Sequence, residues 1–137
     1  MIRSMTKPTE SFAKTPLPTE AELAILQILW KRGPSTVREV HTALESRGTG
    51  YTTALKQMQV MTEKGLLTRT ERYRSHVYEA RMPREKTQLL LTRNLLQRAF
   101  DGSAKNLVLG ALSTQPVSAS ELAEIRQMLE RFEKRKP

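Results

Sequence analysis

The sequence predicts a mainly α-helical protein with one small β-hairpin: a winged helix-turn-helix followed by a helical region. Three observations predict it. The stretch Gly50–Gly65 reads as one helix with an apolar face and a small, hydrogen-bonding, basic face. Two amphipathic helices with their own start signals precede it, the second joined to it by a short glycine-containing link. Directly after Gly65 the pattern changes to two short strands with arginines between them.

Composition sets the limits. The 137 residues include 23 Lys+Arg against 14 Asp+Glu, a formal net charge of +9. That balance favours an anionic partner, nucleic acid first and membrane surface second. There is no cysteine, which excludes disulfides and thiolate metal sites and gives no sign of an oxidising compartment. No apolar run approaches a membrane span. Near the N-terminus Lys7, Pro8, Thr9 and Glu10 interrupt any signal-peptide core, so a cytoplasmic protein without membrane insertion is expected.

Residues 1–17, rich in Thr, Ser, Pro and Lys without periodicity, read as a disordered tail. Thr19-x-x-Glu22 is a capping-box pattern, in which each side chain satisfies a backbone N–H of the other. The helix it opens carries Leu23, Leu26 and Trp30, with Ile25 and Leu29 beside them, and ends at Gly33-Pro34. A second capping box, Thr36-x-x-Glu39, opens a short helix with Val37, Val40 and Leu44 inward. The Ser46–Gly50 segment connects it to the third helix. There Ala54, Met58 and Met61 recur at helical spacing toward a core, with Leu55 flanking them, while Thr52, Thr53, Lys56 and Gln57 fall on the other side. No carboxylate follows until Glu63, so this face can approach polyanionic DNA and offer donors and acceptors to base edges. Gly65 stands where a left-handed C-cap belongs.

Residues 66–70 and 76–80 read as two strands, with 71–75 as the connection. A hairpin directly after a recognition helix is a wing, and Arg72 and Arg74 near its tip would meet the phosphate backbone. Residues 18–82 thus form a winged-helix DNA-binding domain. From Pro83 a long helix runs to about Phe100, bearing Leu89, Leu90, Leu91, Leu95, Leu96, Ala99 and Phe100. Asp101-Gly102-Ser103 breaks it. A short helix with Leu107, Val108 and Leu109 follows, then Ser118-x-x-Glu121, a third capping box. It opens a last helix with Leu122, Ile125, Leu129 and Phe132 on one face. Residues 83–137 hold too little sequence for a core of their own, so they are expected to interlock with a second copy as a dimerisation domain. A symmetric dimer would read inverted repeats whose halves lie about 34–36 Å apart.

These residues resemble a known family. Pro18-Thr-Glu-Ala-Glu22, Leu29-Trp30, Thr36-Val-Arg-Glu-Val-His41, Tyr51-Thr-Thr53, Glu63-Lys-Gly-Leu-Leu67 and His76-Val-Tyr78 match, in order and spacing, the pattern of the penicillinase-repressor (BlaI/MecI/CopY) family over roughly residues 17–132. The resemblance implies a homodimeric winged-helix repressor that binds double-stranded operator DNA with inverted repeats. By position it implies Thr52, Thr53, Lys56 and Gln57 at the major groove, Arg72 and Arg74 on the wing, and Thr36 and Arg38 on phosphate, with Tyr51 also among the DNA-binding residues. It places the dimerisation region after Pro83. The chain also departs from the pattern. Val60 stands where the family usually has Arg, and Lys56 where it often has Thr. The paired C-terminal cysteines of the copper-responsive branch are absent. The Asn-Phe pair cleaved in β-lactam-responsive members, under a membrane sensor-protease, corresponds to Gly110-Ala111.

Other chemistry finds little footing. His41 and His76 sit on different elements and lack a metal-ligand spacing, so neither a metal site nor a cofactor is expected. No phosphate loop or nucleophile elbow is present, and Glu20 and Glu22 suit the first turn of a helix rather than an acid–base pair. An enzyme is not expected. Two other readings remain at this stage: a small-molecule-responsive winged-helix regulator of the multiple-antibiotic-resistance type, and a winged-helix protein-interaction module that does not touch DNA.

Overall fold

The computed structural model describes residues 16–135; most of the expected N-terminal tail, residues 1–15, lies outside them. The element order is α1 (Glu20–Arg32), α2 (Val37–Ala43), a 3-10 turn (Glu45–Arg47), α3 (Tyr51–Lys64), β1 (Leu67–Arg72), β2 (Ser75–Ala80), α4 (Arg84–Ala99), α5 (Ala104–Ser113) and α6 (Ala119–Arg135). The architecture is a winged helix followed by a helical region. Two compact units divide the chain, Met1–Arg93 and Asn94–Pro137.

In the first unit the helices start where the capping boxes predict. The Thr19 hydroxyl accepts the Glu22 N–H at 3.1 Å while the Glu22 carboxylate accepts the Thr19 N–H at 3.0 Å. Thr36 and Glu39 repeat the exchange at 3.2 and 2.9 Å. Each such cap is worth about 1 kcal/mol. Between them the helices bury one apolar cluster. Ile25, Leu26 and Leu29 come from α1, Val37 and Val40 from α2, with Leu44 at its end, and Ala54, Met58 and Met61 from α3. Leu66, Leu67 and Tyr78 close the cluster from the hairpin side.

The hairpin is antiparallel, with Leu67 opposite Ala80 and Arg72 opposite Ser75. Its connection is shorter than the expected 71–75, because Tyr73 and Arg74 both adopt left-handed backbone, φ 53° and 65°, and turn the chain in two residues. Glu71, Arg72 and Ser75 are thereby freed to join the ladder. A further link was not expected. Buried Ser35 pairs with Tyr78 as an isolated bridge, its N–H donating to Tyr78 O at 2.9 Å and its carbonyl accepting from Tyr78 N at 2.8 Å. The second strand is thus tied to the link between α1 and α2.

In the second unit Asp101 (φ 50°) and Gly102 (φ 79°) end α4, and the Ser103 hydroxyl caps α5 by accepting the Asn106 N–H at 3.1 Å. Of the third capping box, the structure holds the half in which the Glu121 N–H donates to Ser118 Oγ at 3.0 Å. Neither α5 nor α6 contains a buried residue. Leu95, Val108, Leu109, Met128, Leu129 and Phe132 are exposed, whereas Leu91, Leu96, Phe100, Leu107, Leu122 and Ile125 are partly covered.

Candidate nucleic-acid interface

The site is built on α3. Ala54, Met58 and Met61 have no exposed surface, so the helix cannot roll without opening the core. Full burial of an apolar side chain of methionine size is worth about 1.5–3 kcal/mol. That immobilised inner face determines what points outward. Thr52, Thr53 and Lys56 are exposed, and so is Gln59, one turn beyond Lys56 on the same side. Gln57 stands half-buried at the rim, as does Val60. Gln59 is not among the residues expected from the sequence. Counting 3.6 residues per turn from Thr52 would have found it.

Both ends of α3 are held. At its start the ring of Tyr51 meets the His41 ring edge-on, with centroids 5.7 Å apart at 85°. The Arg38 guanidinium lies 5.8 Å from the Tyr51 ring centre, within cation–π range. Arg38 and Tyr51 therefore form one exposed group at the junction of α2 and α3, with half-buried His41 behind it. Thr36 caps the start of α2 with its hydroxyl committed to the Glu39 N–H. Its oxygen is the acceptor in that bond, so the hydroxyl proton can still be donated to an anion.

At the end of α3, Gly65 takes φ 89°, and the Leu66 N–H reaches back to Met61 O at 2.9 Å. The neighbouring Lys64 donates to Glu22 Oε2 at 2.7 Å. Burial pushes the Glu22 carboxyl up, but the bond from Lys64 and those from Thr19 outweigh it and hold the group below its usual value of 4.5. This ion pair ties the far end of α3 to the first turn of α1. The sequence showed both residues but not their meeting.

The hairpin follows α3 after two residues, and Arg69, Arg72 and Arg74 are all exposed on it. Arg72 and Arg74 lie at the tip as expected, Arg72 in the last ladder pair and Arg74 in the turn. Tyr73 between them is 93% exposed and was not singled out from the sequence. Among the described residues, no cluster of His, Asp and Glu could hold a metal ion, and no helix is long and apolar enough to cross a membrane.

Two supporting helices, a third helix with a polar, basic outer face and an arginine-bearing hairpin define a winged helix-turn-helix. The penicillinase repressor family model matches residues 18–131, and the chain belongs to that family. The penicillinase repressor of Bacillus licheniformis is 26% identical over 124 residues, covering 90% of this chain and 97% of the relative. The transcriptional regulator BlaI of Mycobacterium tuberculosis (strain CDC 1551 / Oshkosh) is 30% identical over 116 residues, 83% of each. Members of this family are transcriptional regulators, not enzymes.

Proposed function

We propose that this protein is a homodimeric transcriptional repressor that acts in the cytoplasm and binds inverted-repeat operator DNA through α3 and the hairpin. The observation that carries the reading is the outer face of α3. Its Thr52, Thr53, Lys56 and Gln59 side chains are aimed away from a core that fixes the helix, with no carboxylate before Glu63. Such a row supplies donors and acceptors at major-groove spacing. Tyr51 with Arg38, the N-terminal turn of α2 at Thr36, and Arg72 and Arg74 then take phosphates on either side. Gln57, at the rim, reaches the groove only along the edge of the helix. Val60 leaves an apolar surface where an arginine would have added a base or phosphate contact, so the operator is expected to differ from those of family members carrying Arg there.

Exposed Leu95, Val108, Leu129 and Phe132 support assembly with a second copy. Repression would follow from occlusion of a promoter. Release by a membrane sensor-protease at Gly110-Ala111 faces a structural obstacle. The pair lies inside the helix α5. Cleavage there requires α5 to unwind first.

The test is DNA binding across a salt series. Affinity should fall steeply as salt rises, because bound cations displace counterions from phosphate. Lys56→Ala/Gln57→Ala should weaken specific binding and blur sequence preference, whereas Arg74→Ala should weaken all duplexes about equally. Binding to an acidic protein fragment but to no duplex at low salt would overturn the reading.

A further inference from the structure

The tip of the hairpin is built from residues that the turn does not favour. Tyr73 and Arg74 are its two central residues, both with positive φ, 53° and 65°, between the paired Arg72 and Ser75. Two-residue hairpin turns of this kind select Asn-Gly or Asp-Gly, because a Cβ at positive φ crowds its own backbone. A tyrosine there is a conformational burden. Packing does not offset it, since the side chain is 93% exposed, the most exposed of the large apolar side chains among the described residues. An aromatic ring held in a strained turn, with almost nothing against it, is unexplained by folding alone.

Its surroundings indicate the partner. Arg69, Arg72 and Arg74 are exposed on the same hairpin, and Glu71, the carboxylate nearest the tip, lies opposite His76 in the ladder. The hairpin follows directly on the end of α3. We propose that Tyr73 is a DNA-contact residue, its ring packing against deoxyribose at the wall of the minor groove that flanks the groove entered by α3. The arginines beside it take phosphates. The ring adds a non-ionic contact that the phosphate-binding cations cannot supply, because a planar, amphipathic side chain covers sugar surface at small conformational cost. This rests on the operator-binding reading and assigns one residue within it.

The measurements use the full chain and the duplex that the wild-type protein selects from a randomised library of about 30 base pairs, long enough for two half-sites. Tyr73→Asn places a residue suited to the turn at its first position. It should raise the melting temperature by about 2–5 °C. It should also lower affinity about tenfold with the salt slope unchanged, since no cation is lost. Tyr73→Phe should keep both affinity and melting temperature near wild type. Tyr73→Asn/Arg74→Gly should be stabilised as well, and should lose about one further unit of salt slope per protomer. A Tyr73→Asn protein that is stabilised and binds as tightly as wild type overturns the proposal while leaving operator binding intact. So does one that is destabilised, because the ring would then serve the fold. A wild-type chain that selects no duplex removes the underlying reading before any variant is compared.

Discussion

Glu22 shows how one side chain can serve two structures at once. One carboxylate oxygen completes the capping box with Thr19, and the other takes the ammonium of Lys64, 42 residues later, at 2.7 Å. The glutamate side chain is 7% exposed and that of Lys64 36%, so only one partner is fully withdrawn from water. Losing the pair therefore costs less than the roughly 3–5 kcal/mol of a wholly buried one. Glu22→Gln keeps an acceptor for Thr19 but removes the charge, and should lower unfolding stability by about 1–2 kcal/mol at neutral pH. The pH dependence follows from the direction of the shift. The native carboxyl sits below 4.5, so on mild acidification the unfolded chain binds the proton first. The contribution of the pair is complete above the unfolded value and disappears as pH falls through the lower native one. Urea unfolding of wild type and Glu22→Gln across pH should show a gap that is constant near neutrality and closes in acid. A gap independent of pH would mean that shape, rather than charge, is what Glu22 contributes.

At the scale of the element, α3 is an instrument held at both ends, and Gly65 is where one clamp can be tested. Its φ of 89° admits other residues only with strain, and Arg81 Nη1 lies 3.3 Å from where a Cβ would sit. Gly65→Ala should cost about 1–2 kcal/mol, and Gly65→Asn less, since asparagine tolerates the left-handed region. Thermal melts of the two variants give the order directly. This clamp was legible in the sequence, as were the Thr19–Glu22 and Thr36–Glu39 caps and the inward set Ala54, Met58 and Met61. Each is a local pattern, written within one or two helical turns. The remainder depends on residues that meet only after folding. Lys64 finds Glu22, the Trp30 indole N–H donates to Met82 O at 3.0 Å, and Ser35 bridges Tyr78. The wing connection is two residues rather than the expected five for another reason. Tyr-Arg lacks the turn chemistry that normally signals a two-residue connection, so the sequence hid a tight turn that the chain nonetheless makes.

For the whole molecule, the question is what α5 and α6 exist to cover. Neither buries a single residue, and α6 leaves Leu129 54% and Phe132 60% exposed, on a face shared with Leu122 and Ile125. Arg135 lies 4.9 Å over the Phe132 ring, which shields one side of it but does not remove it from water. An amphipathic helix of 17 residues with its apolar side open is stable only when that side is occupied, since isolated helices of this length are marginal in water. A second copy of the chain is the occupant proposed above, and it would make two operator-reading units act as one ligand. Leu129→Asp/Phe132→Asp sets two carboxylates into that face and leaves residues 18–93 untouched. The variant should sediment as a monomer while retaining the winged-helix melting transition. Its affinity for a palindromic duplex should fall by about 10²–10⁴, the factor by which linking two half-site contacts exceeds either alone. Its affinity for a single half-site should be unchanged. A variant that remained dimeric would place the interface on another surface. One that became monomeric yet bound the full palindrome as tightly as wild type would show that pairing and operator recognition are uncoupled, and that the arm has some other task.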